Sequence, residues 1–266
     1  MRKYWAIFKI SWQNTLVYRF NIPMWRIRMM VAFLGIYFFW GAVFSQQVQF
    51  AGYSRPDMIG YLLIVFFLQY LVIGNDSFNI AMEIANGDLN NYLLKPLSYF
   101  SNWSARDWAL KLLNLILCFA EATVLIIVFK LPVFTPNSLG TVFLFTAVAV
   151  LAAYLYFFFS FLFSSFSFWY PEHDGWPLRF LMLMFLEFFA GTAFPLDIFP
   201  QPITAVLKWL PTSYLIYFPA QIYLGRLGAG EIIQGLVIML LWLGVLAWLS
   251  RVVWKKGLQI YGAYGR

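Results

Sequence analysis

Charged side chains are scarce in this sequence: Asp, Glu, Lys and Arg make up 11% of 266 residues, against roughly 25% in an ordinary soluble domain. Histidine and cysteine occur once each, as His173 and Cys118. A lone cysteine excludes an intrachain disulfide and a thiolate metal cluster. A lone histidine leaves the common zinc sites nearly excluded and rules out haem ligation by a histidine pair. There is no GxxxxGK[ST] phosphate loop, no HExxH pair, no GxSxG elbow and no convincing nucleophile–histidine–carboxylate set. The chain is therefore expected to hydrolyse no ATP alone, to bind no metal or cofactor of its own and to carry no catalytic residue. A removable signal peptide is not expected either, because Arg19, Arg26 and Arg28 interrupt the approach to the first long apolar run.

What is present is apolar surface. Hydrophobic residues account for 62% of positions and aromatic residues for 22%, too much for a fold with so little charge to turn toward water. Long apolar runs lie near 27–44, 59–80, 109–130, 139–163, 178–194 and 231–250. Their lengths predict an all-α polytopic membrane protein, one domain over 1–266 with six transmembrane helices. The fifth run is short and contains Glu187, but its nine Leu and Phe residues contribute about −4 kcal/mol toward insertion, against a penalty of about 3 kcal/mol for one central carboxylate. The net charge of +7 sits beside the spans, where anionic lipid rather than nucleic acid is the expected partner. With the N-terminus inside, fourteen Lys and Arg fall on the inner side and four, Arg55, Lys130, Lys208 and Arg226, on the outer. That asymmetry predicts both termini in the cytoplasm.

Three segments outside the spans have their own patterns. In the N-terminal region, 1–26, Trp5, Phe8, Trp12 and Leu16 recur at helical spacing with Lys9 and Gln13 beside them. This reads as an amphipathic helix along the inner leaflet, or as the start of a bundle helix. In the cytoplasmic segment 81–108, Gly87 ends one helix, Asp88 is placed to cap another over 89–95, and Pro96 limits it. Leu89, Leu93 and Leu97 then form a stripe suited to docking in a partner's groove; an ordinary loop on the bilayer is the alternative. In 195–230, Pro195, Pro200, Pro202, Pro211 and Pro219 interrupt an apolar stretch, which predicts short helices that dip into the outer leaflet and return rather than a water-exposed loop. Asn75, Asp76 and Glu187 are candidate pathway or helix-pairing residues, and Glu121 is expected to hydrogen-bond inside the bundle.

The run Glu83…Gly87-Asp88-Leu89…Leu93-Leu94…Pro96…Ser98 resembles the cytoplasmic motif of ABC-2-type transporter permeases, especially those that occur as paired six-span permeases with a separate ATPase. Tyr4-Trp5…Phe8-Lys9…Asn14…Tyr18-Arg19-Phe20 resembles their amphipathic connecting helix. Gly191…Phe194-Pro195-Leu196…Phe199-Pro200…Leu210-Pro211 resembles the pattern before their last span. The resemblance covers essentially the whole chain. It implies a permease that carries ATP-driven export beside a second, identical or related, permease chain, with ATP and Mg held by partner ATP-binding subunits. Residues 83–98 would be the coupling helix, and 195–220 the re-entrant gate, in a prokaryotic inner or plasma membrane. Read without the resemblance, the same features fit a non-transporting docking or assembly subunit, or a membrane-embedded enzyme acting on lipid.

Overall fold

The computed structural model describes residues 2–17, 21–74, 78–136, 138–171 and 176–262; the side chains of Asn21, Ile22, Trp25, Phe78, Trp176 and Glu187 are not among those described. Asn75, Asp76 and His173 lie outside the described residues, as does the side chain of Glu187, and so do Tyr18, Arg19 and Phe20.

Apolar composition dictates the architecture. Helix α1 (Arg2–Val17) precedes α2 (Asn21–Gln46), and a tight hairpin of β1 (Gln49–Phe50) and β2 (Tyr53–Ser54) leads into α3 (Arg55–Leu68). The start of α3 is set locally: the Ser54 hydroxyl accepts from the Asp57 N–H, the Asp57 carboxylate accepts from the Ser54 N–H, and Pro56 occupies the first turn. A π-helical turn, Gln69–Ile73, ends the span. Two short helices follow, α4 (Phe78–Ala85) and α5 (Asn90–Leu93), before the long α6 (Tyr99–Phe129) and α7 (Leu139–Ser165). Ser98 and Ser138 cap these through their hydroxyls. Helix α8 (Trp176–Phe189), a run of short turns with α9 (Gln201–Leu207) and α10 (Tyr217–Tyr223), and α11 (Ala229–Ile260) complete the chain.

Among the described residues, five helical stretches are long and apolar enough to cross a bilayer: Arg26–Gln46, Arg55–Ile73, Tyr99–Phe129, Leu139–Phe168 and Ala229–Ile260. Helix α8 has 14 residues, about 21 Å at 1.5 Å per residue, against a hydrocarbon core of about 30 Å. It ends early because Gly191 adopts a left-handed φ of +83° and Pro195 follows. Helices α6 and α11, at 31 and 32 residues, exceed the core thickness by about 16 Å or more and so project beyond it.

Helices α3 and α7 form the inside of the bundle, whereas α2, α6 and α11 turn apolar side chains outward. Phe38, Phe39, Ile116, Phe119, Ile127, Leu241 and Trp248 are more than half exposed, a surface that only hydrocarbon solvates favourably. The chain is an all-α polytopic membrane protein.

Among the described residues, the charged side chains buried in this bundle are paired. Lys111, fully buried, donates to the carbonyls of Val72 at 3.0 Å and Gly74 at 2.9 Å and pairs with Asp107 at 3.5 Å. It thereby satisfies carbonyls that the end of the π-helical turn leaves open, where positive charge also complements the helix dipole. Arg26 pairs with Glu121 and donates to the side-chain and backbone oxygens of Asn114 at 3.2 and 3.3 Å, its guanidinium lying 4.5 Å from the Tyr70 ring centre. Tyr70 donates to the other Glu121 oxygen at 3.1 Å. Glu121 is thus a packing residue, as its sequence position suggested. Arg26 and Lys111, which the charge tally placed in the cytoplasm, are instead buried and paired, because each meets acceptors from a neighbouring span.

Replacing Lys111 by Ala strands two carbonyls and Asp107 in the interior, so it should lower stability by about 3–5 kcal/mol. A thermal melt in detergent reads this as a loss of Tm well beyond that of Lys208→Ala, which lies on the exposed surface.

Candidate functional site

The two ends of the bundle are built differently. At one end lie α4, α5, the beginnings of α1 and α6, and the end of α11; at the other lie the β1–β2 hairpin, the 131–136 link and the 190–228 segment.

The first end holds the predicted coupling segment. Helix α4 is amphipathic and buries Ile80, Ala81, Ile84 and Ala85 against α7 and the 3-10 turn Phe166–Phe168. Gly87 then takes φ +81°, a backbone region that side-chain-bearing residues rarely adopt, and the Leu89 N–H returns to the Glu83 carbonyl at 3.0 Å. This closes a compact corner. Helix α5 is correspondingly shorter than the predicted 89–95. Leu89 occupies its cap position in helical conformation, with no side chain capping it. Asp88 is therefore not the cap; it contributes its backbone carbonyl to the Asn91 N–H at 3.0 Å.

The leucine stripe also divides. Leu89 is fully buried, whereas Leu93 is 45% and Leu94 88% exposed. A single docking face of Leu89, Leu93 and Leu97 does not form, because the corner at Gly87 turns Leu89 into the bundle. Leu89 joins an aromatic cluster with Tyr99, Trp103, Phe161, Phe168 and Trp254. Tyr99 stacks on Trp254 with ring centres 4.4 Å apart, and Phe100 stacks on Phe161 at 4.2 Å. Gly257 permits the closest approach: a Cβ there would lie 2.1 Å from the Phe168 ring. Trp254 is consequently a packing residue rather than a lipid anchor, while Trp248 remains exposed.

Glu83 fastens the segment to α6. It accepts from Tyr99 Oη at 2.7 Å and from Arg106 at 3.1 Å; Arg106 also donates to Tyr92 Oη at 3.2 Å and lies 3.9 Å over the Trp103 ring. Burial pushes the Glu83 carboxyl above its ordinary value, against the lowering effect of Tyr99 and Arg106. Sequence reading missed Arg106, which spacing alone does not distinguish from any inner-side cation. Helix α1 is tied to the same place: Lys3 donates to the Pro96 carbonyl at 2.8 Å, and Tyr4 Oη accepts from the Ser98 N–H at 3.2 Å. From there α1 runs beside α6, with Phe8 and Trp12 near Leu115, Ile116 and Phe119.

At the opposite end the prolines of the predicted gate begin elements rather than interrupt them. Pro195 precedes the turn Leu196–Ile198, Pro200 precedes α9, and Pro211 opens the turn Pro211–Tyr214. Phe194 meets Phe199 edge to face at 5.4 Å. The second half of the segment, including Tyr214, Leu215, Ile216, Phe218 and Ile222, is buried among the long helices, so it is not a surface loop. Gly191 is indispensable to this corner. A Cβ there would lie 2.7 Å from Tyr61 Oη and 2.9 Å from Tyr217 Cβ. Tyr61 donates to the Gly191 carbonyl at 2.5 Å, Tyr217 N–H to the Ala190 carbonyl at 3.0 Å, and Trp40 Nε1 to the Ala193 carbonyl at 3.2 Å. Asp197 accepts from Tyr53 Oη at 2.8 and 3.0 Å, and Gln221 donates to the same hydroxyl oxygen at 2.5 Å. Arg226 lies 3.8 Å over the Tyr53 ring and donates to the Gly52 carbonyl at 3.1 Å. Desolvation raises both the Asp197 carboxyl and the Tyr53 phenol above their ordinary values. Neither Tyr53 nor Asp197 stands out in the sequence, since 144 residues separate them.

Two outcomes follow. Because the folded-state Glu83 carboxyl is raised above 4.5, its contribution to stability is greatest in acid and declines as pH rises through the raised value. Glu83→Gln keeps acceptors for Tyr99 and Arg106 and lacks this dependence. The Tm of Glu83→Gln relative to wild type should therefore climb as pH rises above 4.5, and parallel curves would refute the assignment. Gly191→Ala should cost about 1–3 kcal/mol from backbone strain alone, read as a lower Tm, whereas Gly244→Ala, where a Cβ meets nothing within 4 Å, should leave it unchanged.

Among the described residues no group of three or more His, Cys, Asp or Glu could hold a metal ion. No curated protein matches the chain. A family model described as ABC-2 family transporter protein matches residues 30–265. Members of that family are non-catalytic membrane subunits of transporters, in keeping with a bundle whose polar groups serve packing and attachment. The chain belongs to the ABC-2 transporter family.

Proposed function

We propose that this chain is the membrane-spanning permease of an ATP-driven ABC-2-type exporter, with ATP and Mg bound by separate ATP-binding subunits and a second permease chain beside it. The observation that carries this reading is the construction of residues 83–98. Leu93 and Leu94 are offered outward, while Glu83, Leu89 and Tyr92 attach the same short segment to α6, α7 and α11. A partner gripping Leu94 therefore pulls on three long helices through a stiff aromatic cluster. Glu83, Gly87, Asp88, Leu89, Leu93, Leu94 and Pro96 remain the coupling residues, with divided tasks. Glu83, Gly87 and Leu89 hold the segment to the bundle; Leu93 and Leu94 meet the partner.

In this reading the end carrying α4 and α5 faces the cytoplasm together with both termini. The attachment of Lys3 to Pro96 and the stacking of Tyr99 on Trp254 support placing them on one side. Removing Arg26 and Lys111 from the fourteen inner cations leaves twelve against four, so the charge asymmetry still favours this orientation. Helix α8 and the turn after it make the sixth crossing, since α7 ends at the coupling side and Gly191 lies at the hairpin side. Residues 195–223, with Gly191, Phe194, Pro195, Pro200 and Pro211 at its corners, form the outer gate. A groove of about 290 Å³ between α2, α3 and the end of α8 opens beside this gate, apolar apart from Arg28, Gln69 and Thr192. It suits a cargo with an apolar body. Asn75, Asp76 and Glu187 stand as pathway or helix-pairing residues in the same proposal.

The test is purification of the tagged chain from native membranes in mild detergent, followed by mass identification and an ATPase assay. Wild type should bring down an ATP-binding subunit with turnover. Leu93→Asp with Leu94→Asp should abolish both while the chain still inserts and keeps its Tm, because both side chains are exposed. Leu89→Asp should instead lower the Tm sharply. Absence of any ATPase across detergents and nanodiscs would overturn the reading.

A further inference from the structure

Helix α1 lies beside α6. Its face toward α6 leaves an open crevice of about 580 Å³, lined by Phe8, Lys9, Trp12, Leu112, Ile116 and Phe119 among others. That volume is within the range of small-molecule sites, about 300–1,000 Å³. The crevice is not closed by protein: Leu112, Ile116 and Phe119 are 41%, 59% and 60% exposed. Its wall is apolar except at Lys9 and Gln13, so water fills it poorly. We propose that this crevice binds one anionic phospholipid, its acyl chain between α1 and α6 and its phosphate at Lys9.

Charge complementarity selects that occupant. Helix α1 carries Arg2, Lys3 and Lys9 and no acidic residue, so its field favours an anionic head over a zwitterionic one. The Lys9 ammonium is 5.5 Å from the Trp5 ring centre, which places the cation at the edge of the stacked Trp5, Phe8 and Trp12 rings. Indoles at headgroup depth beside a snorkelling lysine are the arrangement that an interfacial lipid meets. The apolar part of the crevice continues onto α6, a helix long and apolar enough to cross the bilayer. No side chain of α1 is buried although the helix runs beside α6, so a lipid wedged in the crevice adds contacts on a face that protein leaves open. This inference concerns α1 and α6 alone and does not depend on an ATPase partner.

The experiment places a benzophenone amino acid at Ile116 in the full chain, reconstituted in nanodiscs of equimolar phosphatidylglycerol and phosphatidylcholine with matched acyl chains. After irradiation, intact-mass analysis reads which lipid is attached. Phosphatidylglycerol adducts should exceed phosphatidylcholine adducts about fivefold, the selectivity expected of one lysine at an anionic head. Lys9→Glu should bring the ratio to about one, Lys9→Arg should keep it, and Lys208→Glu, at the opposite end, should leave it unchanged. Each variant's Tm checks that the fold is intact. Equal labelling by both lipids in wild type, a ratio indifferent to Lys9→Glu, or crosslinking to a second protein chain would each overturn the proposal.

Discussion

Every carbonyl released where a helix breaks inside this bundle must find a donor, because hydrocarbon offers none. The answers are spread through the molecule. Lys111 donates to Val72 and Gly74 at the end of the α3 span, Tyr61 to Gly191, Trp40 to Ala193, and Ser213 and Tyr214 to Leu207 and Lys208. Trp242 donates to Trp209 in the same way. Phenols, indoles and one buried ammonium thus do what water does for a soluble protein. The short helices around 195–223 are possible only because the long helices carry these donors at the right heights.

The same constraint separates the two ends. At the hairpin end, aromatic hydroxyls and Gly191 hold a broken segment between α3, α7 and α11, and Arg226 fastens it to the hairpin. At the end carrying α4 and α5, the ends of the long helices pack against one another. Tyr99, Phe100 and Trp103 at the start of α6 meet Phe161, Phe168 and Trp254 from α7, the turn after it and α11. Aromatic side chains are large and have few rotamers, so such a cluster moves as a unit rather than yielding locally. Glu83 and Arg106 then pin α4 to it. Ile80, Ile84 and Leu89 are thereby held in the bundle, whereas Leu93 and Leu94 are exposed.

The buried ion pairs have a structural reading. Arg26 with Glu121 joins α2 to α6, and Lys111, paired with Asp107 one turn away on α6, reaches the end of the α3 span through the carbonyls of Val72 and Gly74. Breaking one partner leaves an uncompensated charge in the interior, which makes each pair a strong constraint on register even where its net contribution to stability is small.

Long apolar runs, the scarcity of charge and the distribution of Lys and Arg were enough to assign a polytopic helical bundle, because insertion depends on summed transfer free energies that a one-dimensional window captures. Glycine and proline marked the corners at Gly87, Pro195 and Pro211 for an equally local reason, since backbone freedom and missing donors act within a few residues, whereas Gly191 entered only through the resemblance to the permease family. Tertiary structure alone decided which leucine of 89, 93 and 94 faces inward, that Lys111 and Arg26 are interior groups, and that Tyr53 meets Asp197 and Glu83 meets Arg106. Those assignments depend on which side chains from distant segments share a site, and helical periodicity carries no information about partners 23, 95 or 144 residues away.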